Sequence, residues 1–165
     1  MGLRAKELIH LQWNDRSVET NCVVDLDSRT LHVASESGDG FVTKSGKNRI
    51  VPLSQTAVSL LRREQSRCRP HGCPYIYHRN GAKLKYSGLA HAFYRFRKKA
   101  GLPSWVNLHS TRHAYGTRLA EAGTPIQVIA RFMGHSTTSV TEQYMHVAPE
   151  QGHHYVDRAF DGLNR

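Results

Sequence analysis

The chain has 165 residues, with 23 lysines and arginines against 13 aspartates and glutamates, which gives a formal net charge of +10 at pH 7. No apolar run approaches the roughly 18 residues of a membrane-spanning helix, and no apolar segment follows the N-terminus, so the sequence argues against a membrane span and a secretory signal. Three cysteines, an odd number, argue against a disulfide framework and favour the reducing cytoplasm. The basic excess indicates a polyanionic partner, with nucleic acid as the first candidate.

The first third of the chain predicts one short helix and a small sheet. Leucines recur at helical spacing within Leu3–Leu11, with charged residues between them. β-branched residues are frequent within Val18–Val33, in two runs separated by a polar turn, and again in Arg49–Leu53 after a glycine-containing turn. We therefore expect three strands that form a small antiparallel sheet.

From Ser54 onward the spacing of apolar residues is mostly helical. One helix runs to the proline and glycine cluster that begins at Pro70, and Tyr75–Tyr77 is a short extended piece. Capping and stop residues bound the later helices, which are predicted at Tyr86–Ala100, Leu108–Ala122, residues 125–133, Ser136–Tyr144 and Pro149–Phe160. The predicted fold class is α+β, mostly α, with one domain over residues 1–165 and a three-stranded antiparallel sheet near its N-terminus.

A set of basic and phenolic side chains indicates chemistry on a phosphate group. Its members are Arg4, Lys44, His109, Arg112, His135 and Tyr144. His109 and Arg112 stand three residues apart on one predicted helix, so their side chains project from the same face and can meet one anion. A guanidinium grips phosphate oxygens through a planar fork, whereas imidazole exchanges a proton near neutral pH. Together these two groups suit phosphoryl transfer.

His135 and Tyr144 are nine residues apart, and an unbroken helix would place them on opposite sides. Gly134 and the capping residue Ser136 interrupt the helix, so His135 lies in a turn and the two side chains can converge. A phenol has a pKa near ~10 and needs cations or a base to become a nucleophile at neutral pH. The surrounding basic residues could provide that activation.

Four segments carry a family resemblance: GLRAKEL, TKSGKNRIVPLS, LHSTRHAYGTRLAEAGTPIQVIARFMGHS and TEQYMHVAPE. In this order they resemble the catalytic domain of tyrosine site-specific recombinases, the phage integrase family, and the resemblance covers nearly the whole chain. It implies a site-specific recombinase that needs no cofactor and acts on double-stranded DNA. Measured against the family pattern, we expect the first helices of the catalytic domain and the N-terminal core-binding domain to be missing from the chain.

The resemblance also implies a role for each site residue. Tyr144 matches the nucleophile that forms a 3′-phosphotyrosyl bond, and Lys44 matches the general acid for the 5′-oxygen. Arg4 and Arg112 match the clamp on the nonbridging oxygens. The remaining assignments are His109 to proton transfer, His135 to a hydrogen bond with the phosphate, and Glu7 to the acidic position that orients Arg4. The family requires no metal ion at this site.

Other residues receive weaker assignments. His113 is expected to be a supporting or packed group rather than a catalyst. Cys68, His71 and Cys73 lie close in sequence, but their spacing fits no common zinc site, so no metal is expected. The predicted DNA-backbone contacts are Lys83, Lys85, Arg95, Arg97, Lys98 and Lys99. The segment around His153–Tyr155 resembles a tail helix that packs on a neighbouring protomer in the family's tetramer, with packing on its own chain as the alternative.

Three functions therefore compete at this point. The leading one is a recombinase or integrase of bacterial or phage origin, cytoplasmic and nucleoid-associated, that forms a homotetramer on DNA. A type IB topoisomerase shares the chemistry but relaxes supercoils without a second duplex, and the GHS turn favours the recombinase. The third is a DNA-binding fragment that has lost activity. The sequence does not reveal the DNA target, because base-edge contacts and DNA shape determine specificity.

Overall fold

A computed structural model describes residues 1–13, 22–36, 40–43, 46–68, 73–135 and 149–161. Within these ranges the chain forms helices and short strands in an order that agrees with the predicted α+β class. The helices are α1 Ala5–Ile9, α2 Gln55–Cys68, α3 Tyr86–Lys99, α4 Leu108–Glu121, α5 Ile126–Met133 and α6 Pro149–Phe160. The strands are β1 Gln12–Trp13, β2 Val23–Asp25, β3 Thr30–Val33, β4 Arg49–Pro52, β5 His78–Arg79 and β6 Ala82–Lys83.

The N-terminal sheet has four strands in the order β1-β2-β3-β4, one more than the sequence predicted. β2, β3 and β4 pair antiparallel, as expected, whereas β1 pairs parallel to β2 and makes the sheet mixed. β1 has two residues, too few to show an alternating pattern. The Gln12 amide donates to the Cys22 carbonyl just before β2 (2.8 Å), and on the other side distant backbone groups bond to this segment, from the Trp13 amide to the Pro74 carbonyl (2.9 Å) and from the Ile76 amide to the Leu11 carbonyl (2.9 Å).

A side-chain hydrogen bond shapes the turn between β2 and β3. The Asp25 carboxylate accepts from the backbone amides of Asp27 (2.9 Å) and Ser28 (3.0 Å), and Arg29 then adopts a left-handed φ of 55°. This local turn chemistry is typical of aspartate and explains why the sequence pattern located the hairpin correctly. The Arg29 side chain reaches further and forms an ion pair with Asp157 of α6.

The core lies between the sheet and helices α4, α5 and α6. Its fully buried members include Leu31, Val51 and Leu119. α5 contributes five buried residues out of eight, namely Val128, Ile129, Ala130, Phe132 and Met133, so it is the most deeply embedded helix of the described chain. A helix packed on this much apolar surface holds its C-terminal end in a fixed place.

α6 packs against its own chain. Gly152 lies so close to Pro52 and Phe132 that an added Cβ would stand 2.9 Å from the Pro52 ring, and Val156 is buried. The Phe160 ring stacks on Tyr115 of α4 at a centroid distance of 5.2 Å. The described part of the tail helix therefore packs on its own chain, and packing on a neighbouring protomer stays a prediction.

The remaining predicted helices agree with the structure to within a few residues at their ends. The helix predicted at Ser136–Tyr144 lies outside the described residues. Among the helices that are described, none combines the length and the hydropathy needed to cross a membrane.

Candidate active site

The C-terminal end of α5 organises the site. Gly134 ends the helix in a left-handed conformation, with φ 64°, and the amides of Gly134 and His135 turn back to the Arg131 and Ala130 carbonyls. This closure leaves the next carbonyl oxygens, those of residues 132–134, without partners inside the helix. The partial negative charge of a helix C-terminus makes such oxygens good acceptors for cations.

Each of these three carbonyls accepts a hydrogen bond from a different arginine. Arg49 of β4 donates its Nε to the Phe132 oxygen at 3.0 Å. Arg112 of α4 donates its Nη2 to the Met133 oxygen. Arg4, immediately before α1, donates its Nη2 to the Gly134 oxygen at 3.0 Å. Arginines from three distant parts of the chain therefore converge on one helix terminus.

Glu7 of α1 is a buried carboxylate shared by two of these arginines. Its Oε1 accepts from Arg4 Nη1 at 3.2 Å, and its Oε2 accepts from the Arg4 backbone amide at 2.7 Å and from Arg49 Nη2 at 2.6 Å. Burial by itself would raise the pKa of Glu7, but the hydrogen bond and charge of Arg49, aided by Arg4, outweigh it and lower that pKa. Glu7 is therefore ionised at neutral pH, and it lies where the sequence predicted an acidic partner for Arg4.

Arg112 is buried, with only 3% of its surface exposed. α4 presents it one turn after a well-formed N-terminus, where the Asn107 side chain accepts from the amides of His109 (2.8 Å) and Ser110 (3.1 Å). Its Nη1 donates to the Gly2 carbonyl at 2.6 Å. Burial, followed by the positive charge of Arg4, lowers the pKa of Arg112 to about 10, so this guanidinium remains charged at neutral pH.

His135 lies directly after the arginine-bound terminus and is exposed at the surface. Partial burial and then the positive charges of Arg112, Arg4 and Arg49 lower the pKa of His135 below its ordinary value of 6.5. The imidazole is therefore neutral at pH 7. In this form the ring has one N–H group, which can donate a hydrogen bond to an anion, and one nitrogen that can accept.

His109 and His113 stand one turn apart on α4, and their rings meet edge to face at a centroid distance of 4.6 Å. Both are exposed. His113 is near enough to His135 to contribute to its lowered pKa. His109 lines the same surface cavity as Arg4 and Glu7. The described members of the predicted site, including Glu7 and His113, thus assemble in one region.

Lys44 and Tyr144 lie outside the described residues. Their assignments as general acid and nucleophile remain predictions from the sequence.

Arg49 was missed by the sequence analysis, although its segment was part of the family resemblance. It occupies the first position of β4, and side chains two residues apart point to the same face of a strand. Val51 on that face is fully buried, so Arg49 also points into the molecule, where only 4% of its side chain is exposed. A charged residue on the apolar face of a predicted strand is the signal that could have identified it.

The predicted DNA-binding residues divide into two groups. Arg97 donates to the carbonyls of Ser104 and Val106 and stacks over the Tyr94 ring, so it holds the loop that follows α3. Lys83 lies over the Tyr75 ring at 5.5 Å. The other four side chains are exposed and belong to Lys85, Arg95, Lys98 and Lys99. Their proximity to DNA remains a prediction.

The cluster has the charge of an anion site. Arg4, Arg49 and Arg112 face the single carboxylate of Glu7, so positive charge is in excess beside the three histidines. Fixed guanidinium groups of this kind suit a phosphodiester. Within the described ranges, no group of three or more histidine, cysteine, aspartate or glutamate side chains is placed to hold a metal ion.

Comparison with known proteins identifies the family of the chain. The chain matches the phage integrase family over residues 1–151 and belongs to that family. A protein of Caldanaerobacter subterraneus subsp. tengcongensis named tyrosine recombinase XerC-like is 25% identical over an alignment of 182 positions. The alignment covers 97% of this chain and 46% of the relative. The chain thus spans about half the length of such relatives. The resemblance to tyrosine recombinases seen in the sequence is confirmed.

Two solved structures share the fold. The crystal structure of XerA recombinase superposes with a TM-score of 0.68 at 25% identity, covering 91% of this chain and 50% of that one. The Tn1549 transposon integrase, solved in complex with a circular intermediate DNA, gives a TM-score of 0.65 at 24% identity and covers 87% of this chain and 50% of its own. The second similarity bears on the fold alone. Both comparisons confirm the predicted fold class.

Proposed function

We propose that residues 1–165 form the catalytic domain of a site-specific DNA recombinase or integrase. In this proposal the domain cleaves and rejoins double-stranded DNA through a 3′-phosphotyrosyl intermediate. The observation that supports it most strongly is the convergence of Arg4 and Arg112 on the α5 terminus, beside His135. Membership of the phage integrase family adds independent support.

The proposed reaction exchanges one phosphodiester for another. The Tyr144 oxygen attacks the scissile phosphorus while the bond to the 5′-oxygen breaks, and the phenolic proton leaves through His109. Lys44 gives its proton to the departing 5′-oxygen. Rejoining is the reverse step, in which a free 5′-hydroxyl attacks the phosphotyrosine. The bond energy is conserved throughout, so the strand exchange needs no external energy source.

The arginines stabilise the negative charge that builds on the nonbridging oxygens. Arg4 and Arg112 each keep part of their hydrogen-bonding capacity engaged with backbone carbonyls, which fixes their orientation before DNA arrives. A preorganised cation loses little free energy to rearrangement in the transition state, and one such group contributes roughly 10²–10³ in rate. Neutral His135 would add a hydrogen bond to the same phosphate.

The proposal includes DNA contacts beyond the scissile phosphate. The exposed cations at the start and on the outer face of α3 would lie along the DNA backbone and contribute affinity without reading sequence. Membership of the phage integrase family and the net charge of +10 support DNA as the partner. A homotetramer on DNA and association with the bacterial nucleoid are the corresponding proposals for the whole protein.

The nucleophile is tested with a nicked suicide duplex that traps the covalent intermediate. Tyr144→Phe removes one oxygen and no charge, so we expect it to abolish the denaturant-stable protein–DNA adduct while noncovalent binding stays almost unchanged. Tyr94→Phe, at an exposed position of α3, is the matched control and should form the adduct normally. An adduct that persists in Tyr144→Phe would disprove the assignment.

The same assay separates the competing functions. A wild-type chain that binds the duplex but forms no adduct would behave as a noncatalytic DNA-binding fragment. A chain that forms the adduct and relaxes supercoiled DNA without joining two duplexes would behave as a type IB topoisomerase. Recombination between two duplexes that carry the same site is the outcome expected here.

A further inference from the structure

Arg49 occupies the centre of the arginine network, and every side-chain hydrogen bond it makes in the described chain goes to another group of the protein. Only 4% of its side chain is exposed, and its hydrogen bonds go to Glu7 and to the Phe132 carbonyl. It therefore contacts the two groups that, in turn, hold Arg4. One is Glu7, which accepts from Arg4 through both carboxylate oxygens, and the other is the α5 terminus, whose last carbonyl accepts from Arg4 Nη2.

The third nitrogen of the Arg49 guanidinium lies at the turn that ends α5. Nη1 is buried and has no hydrogen-bond partner among the described residues. It lies against Gly134, where an added Cβ would stand 2.9 Å from it. A guanidinium with a buried unpaired nitrogen gives up part of its hydrogen-bonding energy. The other two nitrogens nevertheless make their hydrogen bonds, Nε to the Phe132 carbonyl and Nη2 to Glu7, so the fork of Arg49 spans from Glu7 to the turn that leads to His135.

The charges lead to the same conclusion. If Arg4 were the only cation beside Glu7, the carboxylate would neutralise it and little net charge would remain for a phosphate. Arg49 supplies a second positive charge at 2.6 Å from Glu7. The Glu7 carboxylate is thereby balanced from inside the molecule, and the positive charge of Arg4 remains available on the outer side.

We infer that Arg49 is a positioning residue for the proposed phosphoryl transfer. It sets the orientation and the available charge of Arg4 through Glu7, and it holds the turn at Gly134 and His135 through the Phe132 carbonyl. The part of this inference that concerns phosphate binding rests on the proposed function. The part that concerns the orientation of Arg4 does not. Arg49 thus acts through its neighbours and contacts neither DNA nor the reacting atoms.

The test observes Arg4 directly in a chain labelled with ¹⁵N-arginine. The Nε–Hε signal of Arg4 is identified by its loss in Arg4→Lys, and inorganic phosphate is then titrated as the probe. Arg49→Lys keeps the charge but cannot donate to Glu7 and to Phe132 at once. We expect it to shift the Arg4 signal and to raise the phosphate Kd about tenfold, the equivalent of one charge-assisted hydrogen bond.

Arg62→Lys is the matched control, because Arg62 is an exposed arginine paired with Asp27 on another part of the molecule. It should leave both the Arg4 signal and the phosphate Kd unchanged. If Arg49→Lys fails to fold, Arg49→Gln replaces it, because a neutral amide also cannot hold both Glu7 and the Phe132 carbonyl. It is expected to shift the Arg4 signal as well.

The inference is overturned if a folded Arg49→Lys or Arg49→Gln melts at a lower temperature but leaves the Arg4 signal unchanged. That result would assign Arg49 to stability only. A wild-type chain that binds no phosphate and forms no covalent adduct would instead disprove the proposed function. The Arg4 signal would still decide whether Arg49 positions it.

Discussion

The chain places arginine and lysine side chains in two contrasting environments. At the α5 terminus, Arg49 and Arg112 are 7% and 3% exposed, and each makes at least two hydrogen bonds to fixed partners. On the outer face of α3, by contrast, Arg95, Lys98 and Lys99 extend into solvent. Positively charged side chains are therefore held rigidly in one part of this small domain and are solvated in another.

The difference shows how one basic protein can serve two purposes. A buried arginine keeps one geometry, which suits the recognition of a single phosphate during bond cleavage. A solvated lysine has no fixed geometry and contributes mainly by releasing counterions from DNA. Substitutions at the first group should therefore change rate and stability, whereas substitutions at the second should change affinity and its dependence on salt.

The largest effect is expected for Arg112→Met. In the proposed function it removes one of the two arginines that hold the phosphate, so single-turnover cleavage of the suicide duplex should fall by roughly 10²–10³. It also leaves the Gly2 and Met133 carbonyls without this donor, so the free energy of unfolding in urea should drop by about 1–3 kcal/mol. Arg95→Met on α3 removes the same charge from an exposed site and should change neither quantity appreciably. Equal losses of cleavage rate and of unfolding free energy in the two variants would show that the buried and the exposed arginines do not differ in this way.

Two glycines with the same left-handed φ give a sharper comparison. Gly134 ends α5 and Gly101 follows α3, and both have φ 64°. Alanine at either position should cost about 1–2 kcal/mol in the free energy of unfolding, because a Cβ is disfavoured in the left-handed region.

The two variants should differ beyond this shared cost. The new Cβ of Gly134→Ala would meet Arg49 Nη1 at 2.9 Å, whereas the Cβ at Gly101 meets nothing within 4 Å. Only Gly134→Ala should therefore lower the cleavage rate, as measured on the suicide duplex. A similar rate loss in Gly101→Ala would show that the helix ends are sensitive for another reason.

A moderate effect is expected for the solvated group. Replacing both Lys98 and Lys99 by glutamine should weaken duplex binding and reduce the slope of log affinity against log salt by about 2, the value for two lost phosphate contacts. The control replaces Arg62 and Arg63 of α2 by glutamine, with the same change in net charge, and should reduce the slope less. Fluorescence anisotropy at several salt concentrations measures both. If both variants reduced the slope equally, the DNA would not lie preferentially along Lys98 and Lys99.

The smallest effect concerns protonation of His135. Its folded pKa lies below 6.5, so near pH 6 the unfolded chain binds more protons than the folded chain. The contribution of this group to stability is therefore present above pH 6.5 and decreases as the pH falls through that value. A proton NMR titration should give a midpoint below 6.5, which rises in Arg112→Met because a nearby positive charge is gone. If the midpoint were the same in wild type and Arg112→Met, the charge of Arg112 would not act on His135.

Local sequence patterns predicted most of the secondary structure. The helices α2 to α6 and the hairpin of β2 and β3 were located because their apolar spacing, caps and turn residues act over a few positions. The residues that form the site were also recognised from motifs, with the exception of Arg49. The strand β1 was missed, since two residues cannot show a pattern and distant backbone groups hold it in place.

The sequence by itself determined which side chains bring charge and chemistry to this protein. Tertiary structure decided which of them are fixed and which are solvated. Arg97 looked like its neighbours on α3, yet it holds a loop, because carbonyls of that loop lie within its reach. The three arginines at α5 meet carbonyls 83, 21 and 130 residues away in the chain. Packing of the helices on the sheet brings these partners together, and no local pattern encodes contacts over such separations.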